Sequence, residues 1–143
     1  MTVYLLDENV LRELCPGGQA NVRRWFASID ADNLRISALT FLEKRRGAVG
    51  LAKKDPGRAE RILAAIEAVE AEYADRIVAI DAAVVAEWAR LLGAKEKNQR
   101  DRALAATARV HGFVLVTRNL ADIRGCDVAA LDPFISSPRI ARV

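Results

Sequence analysis

Short, mostly apolar runs alternate along the chain with longer stretches in which apolar residues recur every three or four positions. Val3-Tyr4-Leu5-Leu6, Leu34-Arg35-Ile36-Ser37, Ile77-Val78-Ala79-Ile80, Phe113-Val114-Leu115-Val116 and Val128-Ala129-Ala130-Leu131 read as strands. Apolar runs of this length, bounded by polar residues, fit strands buried on both faces. Glu8 to Leu14 begins a helix that Pro16-Gly17-Gly18 interrupts, and Val22, Trp25, Phe26 and Ile29 mark a second. Residues 30–33 turn the chain into the second strand, and a helix from Ala38 carries Leu39, Leu42 and Glu43. After the polar break at Lys53 to Gly57, Ile62, Leu63, Ile66, Val69 and Tyr73 form one long amphipathic stripe. Asp81 caps a helix that buries Val84, Val85, Trp88, Leu91 and Leu92. Beyond the charged connection Lys95 to Arg100, Asp101 opens an alanine-rich helix with Leu104, Ala105 and Ala108, stopped by Gly112.

The alternation predicts an α/β fold: one mostly parallel central sheet of four to five strands, helices on both faces, right-handed crossovers. A loose tail is expected over 135–143. With 143 residues, 52% of them hydrophobic, and no internal repeat, a single domain over 1–143 is expected. MTVYLLDENV has neither a basic leader nor a long apolar stretch, so a cytoplasmic protein with no membrane span is expected. One His and two distant cysteines exclude a Cys/His zinc site, and Cys15 and Cys126 are expected as reduced, mostly buried thiols. The net charge of +3 is mild, but basic residues cluster at Arg23-Arg24, Lys44-Arg45-Arg46, Lys53-Lys54 and Lys95 to Arg102. Such clusters either hold phosphates or form solvated faces.

Candidate chemistry lies at strand ends and helix starts. Asp7 ends the first strand, Glu43 sits early in the helix after the second, Asp101 opens the alanine-rich helix, and Thr117-Arg118-Asn119 with Asp122 follows the fourth strand. One Asp after a strand is usually a cap or turn former. Several acids converging at one sheet edge would instead form an oxygen-only site suited to Mg²⁺ or Mn²⁺. An ion held there lowers the pKa of a bound water and stabilises charge on a phosphodiester, which leads to backbone hydrolysis.

Four segments, in order, resemble the PIN-domain toxins of the VapC and FitB-like group. They are Leu5-Leu6-Asp7-Glu8-Asn9-Val10, Ile36 to Glu43, Asp101 to Ala108, and Leu115-Val116-Thr117-Arg118-Asn119. Together with Ile80-Asp81-Ala82-Ala83 and Trp88, the resemblance spans about residues 3 to 135. It implies a metal-dependent endoribonuclease in which Asp7, Glu43 and Asp101 hold the ion and Asn9 buttresses the first loop. Asn119 stands where the family places Asp or Asn, and Asp122 adds charge through a water. Arg118, with Thr117, Asn9 and basic residues near position 100, holds substrate. The resemblance further implies an RNA substrate, a homodimer and a small cognate antitoxin.

Two departures are visible. Glu8 replaces the family's usual Thr or Ser and either points to solvent, the favoured reading since consecutive residues leaving a strand diverge, or adds a carboxylate that alters metal affinity. Lys44-Arg45-Arg46 follows the second acid, either touching phosphates or covering helix surface. Trp25 and Phe26 fit the core, or else an antitoxin contact. His111, before Gly112, reads as a capping or surface residue and stays outside the site. Two other functional classes fit the pattern less well. A PIN-like binding module that does not cut is kept in view by Asn119 and Glu8; a phospho-acceptor receiver domain would carry a late Lys after a strand, where this chain has Arg118 after the fourth.

Overall fold

The computed structural model describes residues 1–94 and 97–143. Six strands, β1 (Tyr4–Leu6), β2 (Leu34–Ser37), β3 (Ile77–Val78), β4 (Val114–Val116), β5 (Ala129–Leu131) and β6 (Ala141–Arg142), form one sheet in the order β3-β2-β1-β4-β5-β6. The first five are parallel, and only β6 runs against its neighbour. The helices are α1 (Glu8–Leu11), α2 (Ala20–Ala27), α3 (Ala38–Leu51), α4 (Pro56–Glu72), α5 (Ala82–Leu92) and α6 (Gln99–His111), with single 3₁₀ turns at Ala31–Asn33, Ala74–Arg76 and Leu120–Ile123. The strand order reverses direction between β1 and β4. In parallel α/β sheets, ligands bind beyond the carboxyl ends of the strands at that point.

Alternating residues of the strands face two separate cores. Leu6, Ile36, Val116 and Leu131 pack with Val10, Val22, Trp25 and Ile66 from the helices of one face. Leu5, Leu115 and Ala130 pack with Leu104, Ala105 and Ala108 of α6 and with Ile123 on the other. Trp25 belongs to the first core, 7% exposed and edge-on to Tyr4 at 5.3 Å between ring centroids. The core reading of that aromatic therefore holds, with Phe26 packed beside it.

In α6 the six consecutive residues Ala103 to Ala108 are all buried. A helix enclosed all round needs small side chains on its crowded sides, and four of these six are alanine. The outer cover is α5, tied to α6 by Trp88 Nε1 donating to the Gln99 carbonyl at 3.0 Å and by Arg102 donating to the Leu91 carbonyl at 2.8 Å. Because α5 is the outermost layer, only Val84 of its apolar residues is buried and Val85 is 49% exposed, contrary to the burial expected for it. Asp81 is the expected cap, accepting from the Val84 N–H at 3.0 Å.

The sheet has one strand more than anticipated. The C-terminal segment, expected to be loose, supplies β6: Ala141 and Arg142 pair with Ala130 and Ala129, and Val143 and Val128 exchange backbone hydrogen bonds at 3.0 and 3.1 Å. The physical reason is the open edge of β5, whose unpaired N–H and C=O groups the tail satisfies. Two residues are too few to give a periodic signal. Other boundaries shift similarly: β3 stops at Val78, α1 ends at Leu11, and α6 opens at Gln99, two residues before Asp101. Of the charged connection expected over Lys95 to Arg100, residues 95 and 96 lie outside the described residues. Cys126 is buried but Cys15 is exposed, in the turn after α1.

Gly112 stops α6 in the left-handed conformation, φ +71°, with nothing within 4 Å of an added Cβ. Gly47, inside α3, likewise has open space but ordinary helical backbone. Alanine should therefore have opposite effects: Gly112→Ala is expected to destabilise by about 1 kcal/mol, and Gly47→Ala to stabilise by about 0.5–1 kcal/mol, read from urea unfolding midpoints. Glu87 joins α5 to α6 by accepting from Arg90 at 2.5 Å and from Arg109 at 2.7 Å. Hydrogen bonds from Arg90 and then Arg109 hold its carboxyl down at about 2, below the ordinary 4.5. A depressed carboxyl contributes stability above its unfolded value and loses it as pH falls through the folded one. Glu87→Gln should thus be less stable than wild type at pH 7, with the gap closing between about 4.5 and 2.

Candidate active site

Because β1 lies between β2 and β4 in register, Leu6 pairs with both Ile36 and Val116. The residues one step further, Asp7, Ser37 and Thr117, emerge side by side at the carboxyl edge. Ser37 caps α3, which carries Glu43 outward in its second turn, while α6 brings Asp101 in its first turn. Topology thus gathers at one edge residues that are far apart in sequence.

Asp7 is 1% exposed, and its carboxylate is closely held. Oδ1 accepts from the Glu8 N–H at 2.6 Å, capping α1, and Oδ2 accepts from Thr117 Oγ1 at 2.7 Å and Asn9 Nδ2 at 3.3 Å. Thr117 Oγ1 in turn accepts from the Asn119 N–H at 3.0 Å, and Asn9 Oδ1 from the Arg118 N–H at 3.4 Å. Both Thr117 and Asn9 are buried. Both were expected at the substrate, and Asn9 also as a buttress of the first loop; in the structure they fix the Asp7 carboxylate and lock the β1 and β4 ends together.

Arg100, immediately before Asp101, lies among the three acids. Its Nη1 meets Glu43 Oε2 at 3.0 Å, and its Nη2 stands 3.7 Å from Asp7 Oδ1 and 3.8 Å from Asp101 Oδ1. Asp7, Glu43 and Asp101 therefore do converge on one cationic position. Among the described residues no group of three His, Cys, Asp or Glu side chains is itself placed to hold a metal ion; the acids face a guanidinium. Asp101 Oδ1 is buried and accepts no hydrogen bond. Burial, then the charge of Asp7, with Asp122 and Glu43 adding, raises the Asp101 carboxyl above its ordinary value, and Arg100 offsets this only in part. Burial alone would lower the Arg100 guanidinium, but Asp7, Glu43 and Asp101 together raise it. An orphaned buried carboxylate oxygen within an all-oxygen set of negative groups fits a hard divalent cation.

The remaining candidates surround this cluster. Asn119, Arg118 and Arg100 line a cleft of about 240 Å³ with Glu8, Asn9, Arg12, Glu13 and Phe134. Arg118 is exposed, with its guanidinium 4.9 Å from the Phe134 ring centroid. Asp122 is half-buried in the 3₁₀ turn after β4 and acts on Asp101 by charge. Glu8 points neither to solvent nor at the acids: it pairs with Lys44 at 3.2 Å and Arg12 at 3.8 Å. Lys44 is thereby engaged, and Arg45 is paired with Glu70 at 2.5 Å, so the basic run after Glu43 mostly braces helices. His111 ends α6, exposed and stacked on Phe113. Sequence reasoning missed the placement of Arg100; its adjacency to an acid in the first turn of a helix was the available sign. Arg12 and Phe134 carried no sign, since their approach to the cleft depends on the loops.

The chain belongs to the PIN domain family, whose profile matches residues 4–123. Within that family it is FitB-like. It is 32% identical over 140 residues to Toxin FitB of Neisseria gonorrhoeae, covering 92% of this chain and 99% of that protein. Two solved structures carry the same likeness: FitAB bound to an IR36 DNA fragment, at 31% identity and TM-score 0.72 over 93% of this chain and 96% of that one, and FitAcB from Neisseria gonorrhoeae, at 29% and 0.76 over 92% and 99%. VapBC-1 from nontypeable Haemophilus influenzae, 21% identical with a TM-score of 0.69 over 92% of this chain and 98% of that one, shares the fold. PIN domains are generally nucleases, and those nucleases generally use divalent metal ions. The described helices include none long and apolar enough to cross a membrane.

The clamp on Asp7 is testable. Thr117→Val keeps the shape and removes the hydroxyl, leaving a buried carboxylate oxygen and the Asn119 N–H short of a partner. The variant is expected to lose about 1–3 kcal/mol of stability in urea unfolding, whereas Thr117→Ser, which keeps the hydroxyl, loses less.

Proposed function

We propose that the chain is the toxin of a toxin–antitoxin pair and acts as a Mg²⁺- or Mn²⁺-dependent endoribonuclease, hydrolysing RNA phosphodiester bonds. The observation that carries this reading is the convergence of Asp7, Glu43 and Asp101 on one cationic position at the carboxyl edge of β1. The relatives Toxin FitB and the solved FitAB complex support the pairing with an antitoxin.

In this reading Asp7, Glu43 and Asp101 hold the ion, with Asp122 adding negative charge beside Asp101. When bound, the metal supplies an activated water and stabilises charge on the phosphoryl group. Thr117 and Asn9 hold the Asp7 carboxylate in place through their hydrogen bonds. Arg118 and Arg12, lining the adjacent cleft, provide positive charge to seat the phosphate backbone, and Asn119 offers a side-chain amide at its wall. Homodimer formation and a small antitoxin that covers this edge complete the reading, and a cytoplasmic location follows from an RNA substrate.

Asn119 supports one second reading, a PIN-fold module that binds nucleic acid or a partner without cutting it. Purified protein incubated with a labelled total RNA pool decides between them. Cleavage with Mn²⁺ that EDTA abolishes, and that Asp7→Ala and Asp101→Ala each reduce by about a hundredfold or more, is expected. RNA left equally intact by wild type and both variants, with equal binding, would establish the binding module.

A further inference from the structure

We propose that the Arg100 guanidinium and a divalent cation are alternative occupants of the acid cluster, so that this residue sets how tightly the site binds metal. The inference rests on the metal-dependent reading above but concerns a residue to which that reading gives no part in holding the ion.

The fit of the guanidinium is loose in a telling way. An arginine matched to carboxylates donates parallel hydrogen bonds at about 2.7–2.9 Å. Here only the contact to Glu43 is a hydrogen bond, at 3.0 Å, whereas Asp7 Oδ1 and Asp101 Oδ1 are 3.7 and 3.8 Å away. Arg100 neutralises the cluster from its middle without satisfying the Asp101 oxygen, which has no hydrogen-bond donor. An oxygen set of this kind suits an ion that draws ligands to about 2.0–2.1 Å. The guanidinium and such an ion would share the same oxygens and repel one another, so both cannot remain.

One partner of the exchange is fixed and the other is free to move. Asp7 is 1% exposed and tied on both oxygens, so it cannot turn to water and needs a cation nearby in either state. The Arg100 side chain is 31% exposed and borders the cleft of about 240 Å³, which gives it a path out. Before the metal arrives, Arg100 relieves the repulsion among the three acids; afterwards the ion does so. Competition of this sort is reciprocal: by whatever factor Arg100 weakens metal binding, metal weakens the docking of Arg100.

Mn²⁺ binding, measured by the electron paramagnetic resonance of the free ion on wild-type protein, Arg100→Gln and Arg100→Lys, tests the exchange. Arg100→Gln should bind Mn²⁺ about tenfold more tightly than wild type, with Arg100→Lys between them. In EDTA, Arg100→Gln should unfold at lower urea than wild type, and saturating Mg²⁺ should remove that difference. A purely structural arginine would leave the variant weaker with or without metal and its Mn²⁺ affinity no higher. In wild type alone, the Arg100 Nε–Hε NMR signal should shift as Mg²⁺ saturates the site and stay unmoved with K⁺. Equal or weaker Mn²⁺ binding by Arg100→Gln, where wild type binds, overturns the exchange and leaves the nuclease reading standing. Absence of Mn²⁺ binding in wild type and variants alike overturns both.

Discussion

The structure depends on keeping one charged side chain, Asp7, almost completely out of water at the end of the central strand. A carboxylate in that position is tolerated only if hydrogen bonds and a nearby cation compensate it. The N–H of Glu8, the Thr117 hydroxyl and the Asn9 amide supply the first, and Arg100 the second. Each of these partners has its own structural requirement: Thr117 must follow β4 in register with β1, Glu8 must begin a helix, and Arg100 must open α6. Much of the architecture around the carboxyl edge follows from that one buried charge.

The enclosing layers serve the same end. Alanines let α6 lie close against the sheet, so that its first turn reaches the edge where Asp7 emerges, and α5 shields α6 from the outside. Both core faces are apolar and continuous, while the edge above them is crowded with charge. The rigid part of the fold and the chemical part are therefore separated along the strands, and the cluster sits on elements whose own packing does not involve it. That separation lets an arginine and three acids remain close together without disturbing the core.

Most of the fold was legible because period-two and period-3.6 patterns differ and because buried parallel strands leave short apolar runs. Five of the strands and all the principal helices follow from those runs. β6 did not, because a two-residue strand pairs through its backbone and needs no particular side chains. Val85 was misjudged because its spacing on α5 marks an apolar stripe without saying which layer covers it. At the site, Asp7, Glu43 and Asp101 stand out as acids at strand ends and helix starts, and the structure gathers all three. Thr117 and Asn9 were read as substrate contacts since a polar side chain beside an acidic strand end looks the same from sequence whether it faces outward or inward. Arg100 was hidden by its neighbours, one basic residue in a charged run, until three-dimensional proximity gave it three acidic partners.

The position of β1 bears on how the protein is made. Its two neighbours are separated widely in the chain, and the Thr117 hydroxyl that holds Asp7 comes from 110 residues later. A chain emerging from the ribosome can pair β1 with β2 early, but the other side of β1 stays open until β4 has been synthesised. Asp101, Arg100 and Thr117 all arrive in that late portion. An unfinished copy therefore carries Asp7 and Glu43 without the groups that complete their surroundings, and the functional edge comes into being only when translation of the chain is nearly over. Synthesis order thus leaves the carboxyl edge unassembled in any incomplete chain.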